Sequence, residues 1–271
     1  MASGENLQSE AANPLDIAAP RYLLVMTATI VPAANAGVKR ADPLLRLEDY
    51  KHALRYWLNY EHPAADRILL LENSGADLSQ LRAIATDENQ RRKPVEILSV
   101  PGNRIPEGTN YGYTEMQMLD DGLAMSQLRR ETTHMVKATG RLTFTNVQGL
   151  IRRLPAEYRI AVDSRSRNSK ERFSPTQLFL AETEFYNTYL RNLYQRMTAD
   201  DQRNHYIENL IYDTLIQLPA DVRDKVVMRW PVNCDPVGIE GTTGRSYRRA
   251  SKRIASALRG TARVVAPQFW F

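Results

Sequence analysis

Residues 135–144 read MVKATGRLTF, in which Lys137, Thr139, Arg141 and Thr143 alternate with Val136, Ala138, Gly140, Leu142 and Phe144. Side chains along a strand point to alternate faces. One face is therefore apolar and suits a core, while the other lines up two cations and two hydroxyls. Such a row is either the solvated face of an edge strand or the floor of an anion-binding cleft, and spacing alone leaves both open. An arginine fork pairs bidentately with phosphate, and a lysine acts as a point charge. Thr139 adds a hydroxyl, and Gly140 admits close backbone approach. Further polar groups stand where apolar runs end: Thr27 and Thr29, then Glu72, Asn73 and Ser74, then Asp163, Ser164 and Arg165. Ligands of open α/β sheets bind beyond the carboxyl ends of the strands, so these residues are the first candidates for chemistry.

The elements that must position them are legible as patterns. RYLLVMTATIVP (21–32), DRILLLENSG (66–75) and PVEILSVPGN (94–103) are apolar runs closed by turn residues and read as buried strands. Between them, residues 46–61 carry Tyr50, Leu54, Trp57 and Leu58 at helical spacing, and a second helix opens on Asp77 as its N-cap. This order predicts an α/β fold with a mostly parallel central sheet flanked by helices. Thr114 and Gln117 fit a capping box and predict a helix start within 110–131. After the 135–144 strand come a short helix from Thr145 or Asn146, a strand over 158–166, a strand-to-helix segment over 176–190 and a helix over 204–218. Glu208 lies beside the apolar stripe of that last helix, where a carboxylate can serve as a general base or as a plain helix-flank acid.

Several chemistries lose their footing. There is no G-x-x-x-x-G-K-[ST], no G-x-G-x-x-G after the first strand, no H-E-x-x-H, no paired C-x-x-C and no G-x-S-x-G. The four histidines are scattered without ligand spacing. A sheet with polar strand ends and a cationic strand face remains, and it suits a nucleotide diphosphate.

GYTEMQMLDDGL (112–123), MVKATGRLTFTNVQGL (135–150), YRIAVDSR (158–165) and IEGTTGRSY (239–247) together resemble a group of bacterial polysaccharide-assembly proteins regarded as glycosyltransferases with a GT-A-like (Rossmann-like) fold. The K-x-T-G-R strand is the most specific part. LLLENSGADLSQL (69–81) is similar to their second strand and turn. The resemblance implies a nucleotide-sugar donor of the UDP, GDP, CDP or TDP type and a glycan or lipid-linked glycan acceptor of a cell surface. It implies that Lys137, Thr139, Gly140, Arg141 and Arg165 bind the donor, with Thr27, Thr29, Glu72 and Asn73 near the nucleotide. Asp163 would organise metal or sugar, and Glu115 or Glu208 would touch the acceptor or act as base. The sequence departs from the usual pattern in lacking D-x-D. Either Asp163 holds manganese or magnesium with help from elsewhere, or Arg165 replaces the metal as counter-charge.

Composition is that of a globular protein, 43% hydrophobic and 25% charged, with one cysteine, Cys234, which suits a reducing, cytoplasmic setting. Residues 1–20 are small and polar and are expected to be disordered; 21–238 read as the catalytic domain, and 239–271 as a basic helix with an aromatic tail. Residues 241–271 carry seven Lys and Arg and no acid, exceeding the +5 of the whole chain, so the rest is net acidic. In that tail Tyr247, Ala250, Ile254 and Leu258 share one helical stripe, and Phe269, Trp270 and Phe271 close it. A basic amphipathic helix of this kind suits the anionic inner leaflet, or it packs on the domain and adds arginines to the donor site. A non-enzymatic module that binds anionic membranes or other polyanions through the tail is the alternative function. Nucleic acid ranks low because no aromatic-interleaved reading face accompanies the cations.

Overall fold

The computed structural model describes residues 19–166, 171–201 and 203–265. Every residue of β1 (Tyr22–Ala28) is buried, as an uninterrupted apolar run with helices on both sides requires. It lies in a seven-stranded sheet of order β10-β6-β9-β4-β1-β2-β3. The members are β2 (Ile68–Glu72), β3 (Val95–Ser99), β4 (His134–Thr139), β6 (Ile160–Ala161), β9 (Leu178–Glu182) and β10 (Val226–Val227). Only β9 runs against the rest, antiparallel to both β4 and β6. β5 (Thr143–Phe144) pairs antiparallel with β11 (Pro236–Val237), and β7 (Arg165–Ser166) with β8 (Arg172–Phe173), in two small ribbons. The expected α/β fold with a mostly parallel, helix-flanked sheet is present.

The helices are α1 (Pro43–Leu58), α2 (Ser79–Asp87), α3 (Tyr111–Met125), α4 (Val147–Ile151), α5 (Thr183–Phe185), α6 (Ile207–Ile216), α7 (Ala220–Arg223) and α8 (Ala250–Val265). Leu24, Met26 and Ala28 of β1 pack with Tyr50, Leu54 and Trp57 of α1, and Leu23 and Val25 with Met116, Leu119 and Leu123 of α3. Burying each such side chain contributes about 1.5–3 kcal/mol. Asp42 caps α1 by accepting from the N–H groups of Leu44 and Leu45, and Asp77 accepts from the Ser79 N–H as α2 begins.

Three local expectations are corrected. Helix α3 begins three residues before Thr114, capped by Asn110, whose side chain accepts from Gly112 N–H at 2.8 Å. The Thr114 hydroxyl instead donates back to the Tyr111 carbonyl. The run 135–144 is not one strand, because β4 stops at Thr139 and the chain turns through Gly140 and Arg141 before β5. Gly140 N–H donates to the Thr27 carbonyl at 2.8 Å, and a Cβ there would lie 2.8 Å from that oxygen. The residue is glycine because the turn presses on β1. The expected strand 158–166 likewise divides, with Ile160–Ala161 in the sheet and Arg165–Ser166 in a ribbon.

From β1 the chain steps to β2 and β3 on one side, then returns to place β4 on the other. Connections therefore diverge between β1 and β4, the switch point at which open α/β sheets form ligand crevices.

Candidate functional site

At that switch point a carboxylate sits under the strand ends. Glu115, in the second turn of α3, accepts from Lys137 Nζ at 2.6 Å, from Thr27 Oγ1 at 2.8 Å and from Thr139 Oγ1 at 3.4 Å, all through Oε1. Lys137 also donates to the Thr176 carbonyl at 2.6 Å, and its side chain is fully buried. Burial opposes the Glu115 charge, but the Lys137 ammonium, hydrogen bonds from Lys137 and Thr27, and the Arg141 charge hold its carboxyl below the usual carboxylate range. Lys137 is thus neither solvated nor turned to a cleft; β4 is central, and the ammonium is consumed by Glu115 and a carbonyl.

Glu208, in the first turn of α6, accepts from Thr176 Oγ1 at 3.2 Å. Burial raises its carboxyl above the usual range and the Glu115 charge adds to the shift. Two carboxylates near one switch point are therefore pushed in opposite directions, the arrangement by which acid–base roles are separated.

Two cavities open along the carboxyl edge. The smaller, about 140 Å³, is lined by Thr27, Thr29, Glu115, Thr139 and Arg141. The larger, about 840 Å³, is lined by Asp163, Arg165, Trp230, Arg259 and Arg263 among others. Tyr111, Thr176, Gln177, Glu208, Glu240 and Tyr247 line both. Arg141 donates to the Ile239 carbonyl, and a Cβ on Gly241 would lie 2.7 Å from its Nη2, so the glycine makes room for the guanidinium. Arg141 has left the strand that carries Lys137, yet it still faces the small cavity.

The remaining sequence candidates divide into two groups. Thr29 Oγ1 donates to Asn73 Oδ1 at 2.7 Å. Glu72 is fully buried and accepts from the N–H groups of Ile30, Ser74 and Gly75 at 3.0, 3.0 and 3.1 Å. It ties the β1 and β2 ends together instead of facing either cavity. Asp163 lines the large cavity, with both oxygens accepting from Arg263 Nη2 at 2.6 and 2.7 Å. A divalent cation does not fit here, because Asp163 is already neutralised and no three His, Cys, Asp or Glu side chains gather among the described residues.

Helix α8 roofs the large cavity. Arg263 holds Asp163 and also donates to Asn233 Oδ1 at 2.9 Å, while Arg259 lies 3.5 Å from Asp235. Asn233 Nδ2 donates to the Ser256 carbonyl at 2.6 Å. The helix is turned opposite to its pattern: its polar face packs inward, and Ile254 and Leu258 are 61% and 66% exposed. Tyr247, expected on the same stripe, is buried in the core. Phe269, Trp270 and Phe271, like residues 1–18, lie outside the described residues. Among the described residues no helix is long and apolar enough to cross a membrane. Tyr111, Gln177, Arg259 and Arg263 join the site without having been singled out for it; the first two carry no sequence signal, whereas the arginines belong to the acid-free tail.

No family model matches the chain, and no curated protein matches it in sequence. Among solved structures it is similar to the mannosyltransferase PcManGT from Pyrobaculum calidifontis in complex with GDP-Man and Mn2+, at 10% identity and TM-score 0.41, over 69% of this chain and 53% of that one. This chain thus matches about half the length of that enzyme. It is also similar to an active-site mutant of LgtC, at 9% identity and TM-score 0.47 over 76% and 71% of the two chains. The inositol-1-phosphate CTP transferase from T. maritima is similar at 10% identity and TM-score 0.47, over 92% and 98%.

Proposed function

We propose that this protein is a glycosyltransferase that moves a sugar from a nucleotide-sugar donor to a hydroxyl of a cell-surface glycan of the lipopolysaccharide, capsule or exopolysaccharide kind. The observation that carries the reading is the meeting of two cavities at Glu208, beside the β1/β4 switch point and within reach of Arg141. The nucleoside end of the donor lies toward Thr27, Thr29 and Asn73, and the diphosphate toward Arg141. The acceptor occupies the larger cavity. Its hydroxyl oxygen forms the new bond to the anomeric carbon as the bond from that carbon to the diphosphate breaks, and its proton passes to Glu208. The raised pKa of Glu208 suits a base. A fixed guanidinium stabilises the charge developing on the departing diphosphate. Glu115 and Lys137 hold the floor of the site and are assigned no proton-transfer step.

The test is a melting-temperature screen with UDP, GDP, CDP and TDP compounds, with manganese or magnesium and with chelator. A ligand confined to the folded form at a hundred times its Kd adds about 2.7 kcal/mol of stability. A shift for one nucleotide is expected, and it should survive chelation. A flat panel would sink the reading.

The outward Ile254 and Leu258 favour a second reading, in which α8 rests on an anionic membrane as part of the enzyme or of a non-enzymatic peripheral module. Vesicles rich in phosphatidylglycerol should then retain the wild type and release the Ile254→Ser, Leu258→Ser variant, and equal retention of both would dismiss it.

A further inference from the structure

Among the arginines that line the large cavity, Arg248 is exposed, and the other three are partly enclosed. Two of those three are paired: Arg263 has Asp163, and Arg259 has Asp235. Arg165, on β7, is in a different condition. Its Nε is buried without a hydrogen-bond acceptor, and no carboxylate stands within ion-pair distance of it among the described residues. Its guanidinium instead lies over the Phe173 ring, 5.8 Å from the centroid. Burial lowers its proton affinity, and the like charge of Arg259 lowers it further, while Asp163 and Asp235 oppose the shift. A guanidinium remains charged in such surroundings. A partly desolvated cation without a counter-ion is unfavourable unless an anion arrives to pair with it. The ring lies on one side of the guanidinium, and a guanidinium presents a planar fork that suits a flat, two-point acceptor.

We propose that Arg165, with Arg259 beside it, forms a diphosphate subsite in the large cavity, where guanidinium groups take the place of a divalent cation. The assignment rests on the glycosyltransferase reading for the kind of phosphate, which comes from one of two sources: the donor nucleotide, or the diphosphate joining an acceptor glycan to its lipid. The acids around the subsite do not compete for Arg165, because Asp163 is held by Arg263 and Asp235 by Ser256 and Arg259. Aromatic side chains of Phe144, Trp230 and Tyr247 line the same space and suit the sugar or base attached to the phosphate.

The test is calorimetric titration of the full chain in chelator with three probes: inorganic pyrophosphate, the nucleoside diphosphate selected by the melting screen, and geranyl diphosphate as a soluble lipid diphosphate. Wild type is compared with Arg165→Gln, Arg165→Lys and the distant surface control Arg67→Gln. Loss of a charged hydrogen-bonding partner should weaken binding about tenfold to a hundredfold. The lysine variant should recover part of it, and the control should bind as wild type does. Weakening confined to the nucleotide assigns the subsite to the donor, and weakening confined to geranyl diphosphate assigns it to the acceptor. Either outcome supports the site. Because Arg165 makes no hydrogen bond through its buried Nε, Arg165→Gln should melt at or above the wild-type temperature without ligand, where a structural arginine would lower it. Unchanged affinity of Arg165→Gln for every probe that wild type binds overturns the subsite and leaves the glycosyltransferase reading standing. Failure of wild type to bind any probe overturns both.

Discussion

Replacing Lys137 with methionine keeps the length of the side chain and removes the charge that holds Glu115. Lys137 is fully buried and Glu115 only 16% exposed, so the variant leaves a carboxylate in the interior with two threonine hydroxyls for company. Breaking a buried pair from one side costs about 3–5 kcal/mol. In a domain of this size each kcal/mol moves the melting temperature by about 2–4 °C, so a fall of roughly 6–20 °C is expected at pH 7. The sign of the pH dependence is the sharper test. In wild type the Glu115 carboxyl sits below its ordinary value, so its contribution is present above the unfolded pKa and is lost as pH falls through the folded one. In Lys137→Met the burial remains and the ammonium does not, so the folded pKa rises above the unfolded value. Acidification then favours the variant's folded form, and the gap to wild type should narrow from pH 7 toward pH 4. Thermal melts of wild type, Lys137→Met, Glu115→Gln and the double variant across that range decide it. The double variant should recover part of the loss, since it leaves no unpaired charge. A Lys137→Met protein that melts within about 2 °C of wild type, or whose deficit is constant with pH, would refute the reasoning.

Glu208→Gln should lower turnover by about 10²–10⁴-fold with little change in donor affinity, as removal of a general base does. Wild-type turnover should fall as pH drops through the raised Glu208 value, and steady-state rates from pH 5 to 8 check both points. Gly140→Ala would place a methyl 2.8 Å from the Thr27 carbonyl and should cost about 1–3 kcal/mol in urea unfolding. Asp163→Asn should free Arg263 and speed tryptic cleavage within α8, because it leaves a nearly enclosed guanidinium without its carboxylate; unchanged cleavage would show that α8 is held otherwise.

The first three strands and α1 could be read directly because their burial is continuous or helically periodic, and local pattern decides such elements. MVKATGRLTF misled because its alternation runs unbroken through Gly140, while the turn there is imposed by β1, more than a hundred residues earlier in the chain. Lys137, read as either a solvated cation or part of a cleft floor, proved to be neither for a similar reason. Its partner Glu115 lies 22 residues upstream on a helix, and no pattern within the strand records that pairing. Glu115 and Glu208 were legible as acids on helices, but their opposed shifts come from burial, which is outweighed at Glu115 by the Lys137 ammonium and at Glu208 is reinforced by the Glu115 charge. The Thr114 capping box lost to Asn110, an equally good cap nearer the preceding turn. In α8 the stripe was visible, while the choice of face depended on Asp163 and Asp235, far away in sequence.

That choice of face gives the molecule two kinds of joint. Helices α1 and α3 are fastened by apolar surface, which salting-out ions strengthen. Helix α8 is fastened by ion pairs, and charges at the surface lose their reach as the screening length falls from about 10 Å at 0.1 M salt to about 3 Å at 1 M. The loosening is graded along the helix. Lys252 with Glu240 and Arg259 with Asp235 are partly exposed and yield first, whereas Arg263 with Asp163 is nearly enclosed and yields last. Rising ionic strength would peel the roof from its N-terminal end while its far end stays pinned, so the ions of the medium set how wide the larger cavity stands open.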